Sequence, residues 1–182
     1  YVIASAEISS SLACFDGVRL GSRAKDADDA VSMFTETRMQ FGSEAKRRIL
    51  VGTYVLHADH YMVYYEKAQQ VRTLIREDLD RAFQECSLIL GPTTPTAAFP
   101  LGHRLDTPVV MYQSDIYTCI ANLAGIPALS VPCGYTDRGL PVGVQLMGRP
   151  FDEPTLLRVG HAYEQHACLP VRRPLMEVKT ND

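Results

Sequence analysis

An α/β fold, a mixed sheet surrounded by helices, is what this sequence predicts, and three observations predict it. One long run repeats apolar residues at helical spacing: Tyr64, Ala68, Val71, Leu74, Ile75, Leu79, Ala82 and Phe83. Beyond Ser87 the texture changes to the short apolar runs LIL, ALSV and VGVQLMG, bounded by glycine and proline as buried strands are. A capped helix closes the pattern, with Asp152 as its N-cap and Pro154 in its first turn. The expected organisation is a portion of one domain, residues 1–85 mostly helical and 86–182 built of strands and helices.

Each element has its own local reason. Residues 1–15 read as a strand and then a short helix, because Ser5 and Glu7 offer a cap ahead of Ile8 and Leu12. Asp26, Asp28 and Asp29 put negative charge at the start of a helix over 30–38, and Arg38 puts positive charge at its end, as the helix dipole favours. Ser43 is the expected cap of the next helix, with Glu44, Lys46, Arg47 and Arg48 in its first turns and Gly52 as a break or bend. The long periodic helix follows from Tyr61, with Glu77 and Arg81 as an i,i+4 pair on its outer side. After the strand LIL, residues 93–108 form a long irregular connection, a type that is often functional. A helix over 110–124 ends at Gly125, and the turn Asp137-Arg138-Gly139 joins the last two strands as a hairpin. In the last helix Leu156, Val159 and Tyr163 are expected to face inward.

The 182 residues are 46% hydrophobic and 21% charged, enough to bury a core. A net charge of -3 gives no basic field for gripping phosphates, so contact with RNA is expected mainly through a partner. No apolar run approaches the ~18 residues of a membrane span, and the expected location is cytoplasmic. The five cysteines are irregularly spaced, with no C-x-x-C pair, and read as reduced core residues. The chain enters directly into YVIASAEISSSLACF, which reads as an entry inside a larger protein.

Several residues invite a chemical reading. Asp115 lies in the nearly all-apolar segment VVMYQSDIYTCIANLAG, where a carboxylate is costly unless paired. Asp115, Thr118 and Asn122 share one helical stripe, which suits either a structural hydrogen-bonding network or a binding strip. Arg47 and Arg48 carry the complementary charge, and a guanidinium fork suits bidentate capture of a carboxylate, although such pairs are usually solvated. His57, Asp59 and His60 have loose metal-ligand spacing with no third histidine nearby, so no metal site is expected. Cys133, in SVPCG, has no basic neighbour to form a thiolate, the serines 9–11 lack a G-x-S-x-G context, and no glycine-rich phosphate loop occurs. No catalytic residue is assigned.

Longer stretches carry a family resemblance. The runs AEISSSLACFDGVRLG, EAKRRILVGTYVL, YYEKAQQVRTLI, LILGPTTPTAAFPLG, ANLAGIPALSVPCG and GLPVGVQLMGRPFDEPTLLRVGHAYEQ resemble the amidase signature family. Within it they are similar to the A subunits of the glutamyl-tRNA(Gln) amidotransferases, the earlier runs being more specific to that branch than the later ones. The resemblance implies part of an amidase signature domain, from the C-terminal portion. It also implies glutamine hydrolysis that supplies ammonia to a partner subunit, which uses ATP and magnesium to amidate Glu-tRNA(Gln) or Asp-tRNA(Asn). The partners implied are glutamine, the B and C subunits and, mainly through them, the tRNA. No cofactor is implied in this chain.

The family's nucleophilic serine, its second serine on a cis peptide and its lysine match nothing in these 182 residues. Two glutamine-binding positions do match: the second arginine of KRR is Arg48, and the aspartate of MYxxD is Asp115. Arg48 would take the α-carboxylate and Asp115 the α-ammonium. This sequence reads HADHYMVYY where relatives commonly have SAGYYDAYY, and SSSLACFDG where they have SSNLARYDG. Alternative readings are part of a stand-alone small-molecule amidase, or an assembly scaffold without chemistry of its own.

Overall fold

The computed structural model describes residues 1–102, 108–170 and 172, which form two compact units, Tyr1–Leu74 and Ile75–Asp182. Among these described residues no helix is long and apolar enough to cross a membrane.

The first unit is helical from its start. α1 (Val2–Ser11) begins at once, so the strand expected over the first residues is replaced by a helix that a 3-10 turn, Leu12–Cys14, extends. The reason is packing: Ile3, Ser5 and Ala6 are buried, and small residues let α1 lie close against α3 (Ser43–Leu56). The contact is made at Gly52, where an added Cβ would sit 2.6 Å from the Ser9 side chain and closer still to the Ser5 carbonyl. Gly52 therefore does not break α3 but sets how near α1 can come. Between them, α2 (Ala30–Met39) is capped as its acidic start suggests, Asp29 accepting from the Ser32 amide at 2.8 Å while the Ser32 hydroxyl accepts from the Asp29 amide at 3.1 Å. For α3 the cap is Gly42, and Ser43 is the first helical residue.

His57, in extended conformation, separates α3 from α4 (Ala58–Tyr61). A π-helical turn, Met62–Glu66, then leads into α5 (Lys67–Glu85). Helical periodicity thus persists through the expected stretch with one widened turn, whose extra residue shifts the apolar stripe. Along that stripe Phe83 is buried, whereas Tyr64, Val71 and Leu74 are exposed. On its outer side Arg81 pairs with Asp78 rather than Glu77, the i,i+3 neighbour winning over the i,i+4 one.

In the second unit β1 (Leu88–Pro92), β2 (Ala128–Tyr135) and β3 (Pro141–Gly148) form a sheet in the order β1-β3-β2. Both pairs are antiparallel, with Leu90 opposite Leu146, Leu129 opposite Leu146 and Val131 opposite Val144. Helices and sheet together bear out the α/β class, and β2 and β3 make the expected hairpin. β2 bulges between Pro132 and Gly134, where Cys133 is the extra residue. Cys133 and Cys168 are exposed and the other cysteines half-buried, so the expectation of core cysteines gives way to free thiols at or near the surface.

α8 (Glu153–Ala167) covers one sheet face, its N-cap Asp152 accepting from the Thr155 amide at 3.4 Å. Val131, Leu146 and Leu156 form the core, with Leu88, Leu129, Val144 and Tyr163 packed around it. Val159 is 37% exposed, and Gly160 takes the inner position instead, because Leu129 leaves no room there for a side chain. The predicted helix over 110–124 is in fact α6 (Pro108–Tyr112), a 3-10 turn (Gln113–Asp115) and α7 (Thr118–Ala124). Part of the long connection expected over 93–108 lies outside the described residues.

Candidate functional site

Two polar clusters hold the residues singled out in the sequence, one in each unit. In the first, Arg47 and Arg48 project from the second turn of α3, three and four residues after Glu44. That spacing brings one carboxylate to both guanidiniums: Arg47 Nη1 donates to Glu44 Oε2, and Arg48 Nε donates to Glu44 Oε1 at 3.0 Å. Arg48 also lies over the Tyr1 ring, its guanidinium carbon 4.9 Å from the centroid. The two arginines differ accordingly, the Arg48 side chain being 22% exposed and that of Arg47 43%. The trio carries one net positive charge.

In the second cluster, Asp115 ends the 3-10 turn between α6 and α7. It is exposed, so the burial cost inferred from its apolar neighbours does not arise, since the helix is interrupted there and the flanking Ile116 is 56% exposed as well. The predicted strip of Asp115, Thr118 and Asn122 exists as a chain of bonds to the backbone. The Thr118 hydroxyl donates to the Asp115 carbonyl at 3.1 Å, and Asn122 Nδ2 donates to the Thr118 carbonyl at 2.9 Å. Arg48 belongs to the first unit and Asp115 to the second.

Beside this strip lies a polar cleft of about 320 Å³, lined by Thr93, Thr118, Asn122, Ser130 and Gln145 among others. The hydroxyls of Thr93 and Ser130 are 2.9 Å apart, and the buried Gln145 donates from Nε2 to the Tyr117 carbonyl at 3.3 Å. Gly143 makes room for the hydroxyl pair, since a Cβ there would stand 3.0 Å from Ser130 Oγ and 3.1 Å from Thr93 Oγ1. Sequence reading missed this cleft because its lining comes from elements that only the sheet pairing brings together. Glu44 was findable, as its spacing to Arg47 and Arg48 is a helix-surface signature. Tyr1 had no local signal.

The remaining candidates have structural partners. His57 Nδ1 accepts from the Asp59 amide at 3.4 Å as the cap of α4, and His60 stacks on Tyr54 with ring centroids 4.0 Å apart. Among the described residues no three histidine, cysteine or acidic side chains gather where they could hold a metal ion. Ser9 donates to the Ala6 carbonyl at 2.8 Å within α1, a helix-surface role.

A mixed helical and sheet scaffold with these motifs belongs to a known class. The family model named Amidase matches residues 1–157, and the chain belongs to that amidase family. Among curated relatives, the A subunit of the glutamyl-tRNA(Gln) amidotransferase from Acidobacterium capsulatum is 58% identical over 165 residues, covering 90% of this chain and 35% of that protein. Its counterpart of the same name from Syntrophus aciditrophicus is 52% identical over 177 residues, covering 97% of this chain and 36% of its own length. The chain thus spans about a third of the length of these relatives. Of solved structures, the A subunit of the glutamyl-tRNA(Gln) amidotransferase from Thermotoga maritima is 34% identical with a TM-score of 0.57, over 90% of this chain and 33% of that one. A bacterial aryl acylamidase of the amidase signature family, 18% identical with a TM-score of 0.61 over 91% of this chain and 34% of that one, shares the fold.

Proposed function

We propose that this chain is the glutamine-recognising portion of the A subunit of a tRNA amidotransferase, with Arg48 binding the α-carboxylate of glutamine and Asp115 its α-ammonium. The observation that carries the reading is the state of Arg48: a side chain 22% exposed, lying over Tyr1 and held at Nε by Glu44, beside a more exposed Arg47. A planar fork held in this way suits a carboxylate better than a mobile surface cation does. The names of the curated relatives, A subunits of amidotransferases at 50–58% identity, support the choice of substrate.

On this reading the chain binds and orients. With both α-groups held, the side-chain amide is presented to a serine nucleophile that lies outside these 182 residues, and water then releases glutamate and ammonia. The ammonia passes to a partner subunit that activates Glu-tRNA(Gln) or Asp-tRNA(Asn) with ATP and magnesium, in a complex of A, B and C subunits in the cytoplasm. The acidic balance of the chain, net -3, agrees with leaving the tRNA to that partner.

In the full-length protein, Arg48→Ala and Asp115→Ala should each raise the glutamine KM about tenfold or more, as loss of one charge-assisted contact does. Unchanged KM in both variants would refute the assignment. The purified 182-residue chain should release no ammonia from glutamine, and serine-dependent release from it would place the nucleophile within the chain.

A further inference from the structure

The geometry points to Tyr1 and Glu44 as positioning residues for Arg48, an inference that rests on the glutamine reading above. Three observations carry it. The Tyr1 ring lies under the Arg48 guanidinium at 4.9 Å, which fixes the plane of the fork from one face. The Glu44 carboxylate takes the Nε edge at 3.0 Å, which fixes rotation within that plane. The same carboxylate pairs through its second oxygen with Arg47, so one negative charge is shared between the two arginines. A face contact and an edge contact together define the orientation of a planar group, and neither does so alone.

The arrangement has a chemical consequence. Two adjacent arginines present two cations, to which a dianion or a phosphate would be the natural match. With Glu44 between them, one carboxylate offsets part of that charge and holds the Arg48 fork in one orientation, which suits a single α-carboxylate. Glu44 is therefore also a selectivity element, set against more highly charged anions.

The test uses the full-length protein and its ammonia release from glutamine. Tyr1→Leu removes the ring face and should raise the glutamine KM roughly three- to tenfold, the range of a cation–π contact, with kcat within about twofold. Tyr1→Phe keeps the face and should restore the KM of the parent. Glu44→Gln should raise the KM similarly and should strengthen inhibition by inorganic phosphate, because one negative charge is then removed from between the two arginines. On an Arg48→Ala background, Tyr1→Leu should have no further effect on KM, whereas a merely structural role would persist there. If Tyr1→Leu and Glu44→Gln leave both KM and phosphate inhibition unchanged, or if Tyr1→Leu adds its full effect to Arg48→Ala, the positioning role is wrong. Should Tyr1→Leu fail to fold, Glu44→Gln and its double variant with Arg48→Ala decide the matter by the same criteria. An Arg48→Ala variant with normal KM would instead refute the glutamine reading, so the two failures are distinguishable.

Discussion

Asp16 is a buried carboxylate with its charge fully engaged by its own turn. Its carboxylate accepts from the amides of Val18 at 2.9 Å and Arg19 at 2.8 Å, and from Arg19 Nε at 3.0 Å. Those bonds, the Arg19 amide foremost, hold its pKa down at about 2. A carboxyl with a folded pKa below its unfolded value stabilises the fold above the unfolded value, and that contribution fades as pH falls through the folded one. Acid unfolding of the parent should therefore steepen between about pH 4 and pH 2, and Asp16→Asn should flatten this window, as measured by circular dichroism against pH. The residues proposed to meet substrate were legible to different degrees. Arg48 and Asp115 stood out through the KRR and MYxxD motifs; the pairing of Glu44 with both arginines was encoded in helix spacing but not read from it, and the Tyr1 contact is a long-range packing event that no local pattern encodes.

At the scale of elements, close approach decides more than propensity. The crossing of α1 and α3 depends on Gly52, and Gly52→Ala should cost about 2 kcal/mol or more, because overpacking outweighs the roughly 1 kcal/mol gained from better helix propensity. The measurement is urea unfolding of the full-length protein. Arg149 Nη2 donates to the carbonyls of Phe83 at 2.6 Å and Cys86 at 3.1 Å, closing the C-terminal end of α5. Arg149→Met should lower stability by about 1–2 kcal/mol in the same experiment while leaving glutamine KM unchanged. The three strands of the sheet, their hairpin and the Asp152 cap followed from turn residues and short apolar runs, which are local, whereas the strand expected at the start and the Ser43 cap did not. The break between α6 and α7 did not, because an uninterrupted apolar pattern looks alike in one helix or two. Periodicity likewise marked an apolar side of α5 correctly, yet Val71 and Leu74 on it are exposed, since a stripe specifies a face and not its cover.

Over the whole molecule, the described residues form a helical unit and a unit of helices on an antiparallel sheet, within a family of amidases. The chain spans 36% of the length of a relative such as that of Syntrophus aciditrophicus, and on the reading proposed above the whole protein's work is divided between recognition by Arg48 and Asp115 and a nucleophile outside these residues. That division is the central claim, and direct binding tests it best. Glutamate carries the same α-carboxylate and α-ammonium as glutamine and is not consumed, so it reports the grip without the chemistry. Titration calorimetry of glutamate into the full-length protein should show one site whose Kd weakens about tenfold in Arg48→Ala and again in Asp115→Ala. Parental Kd in both variants would contradict the account.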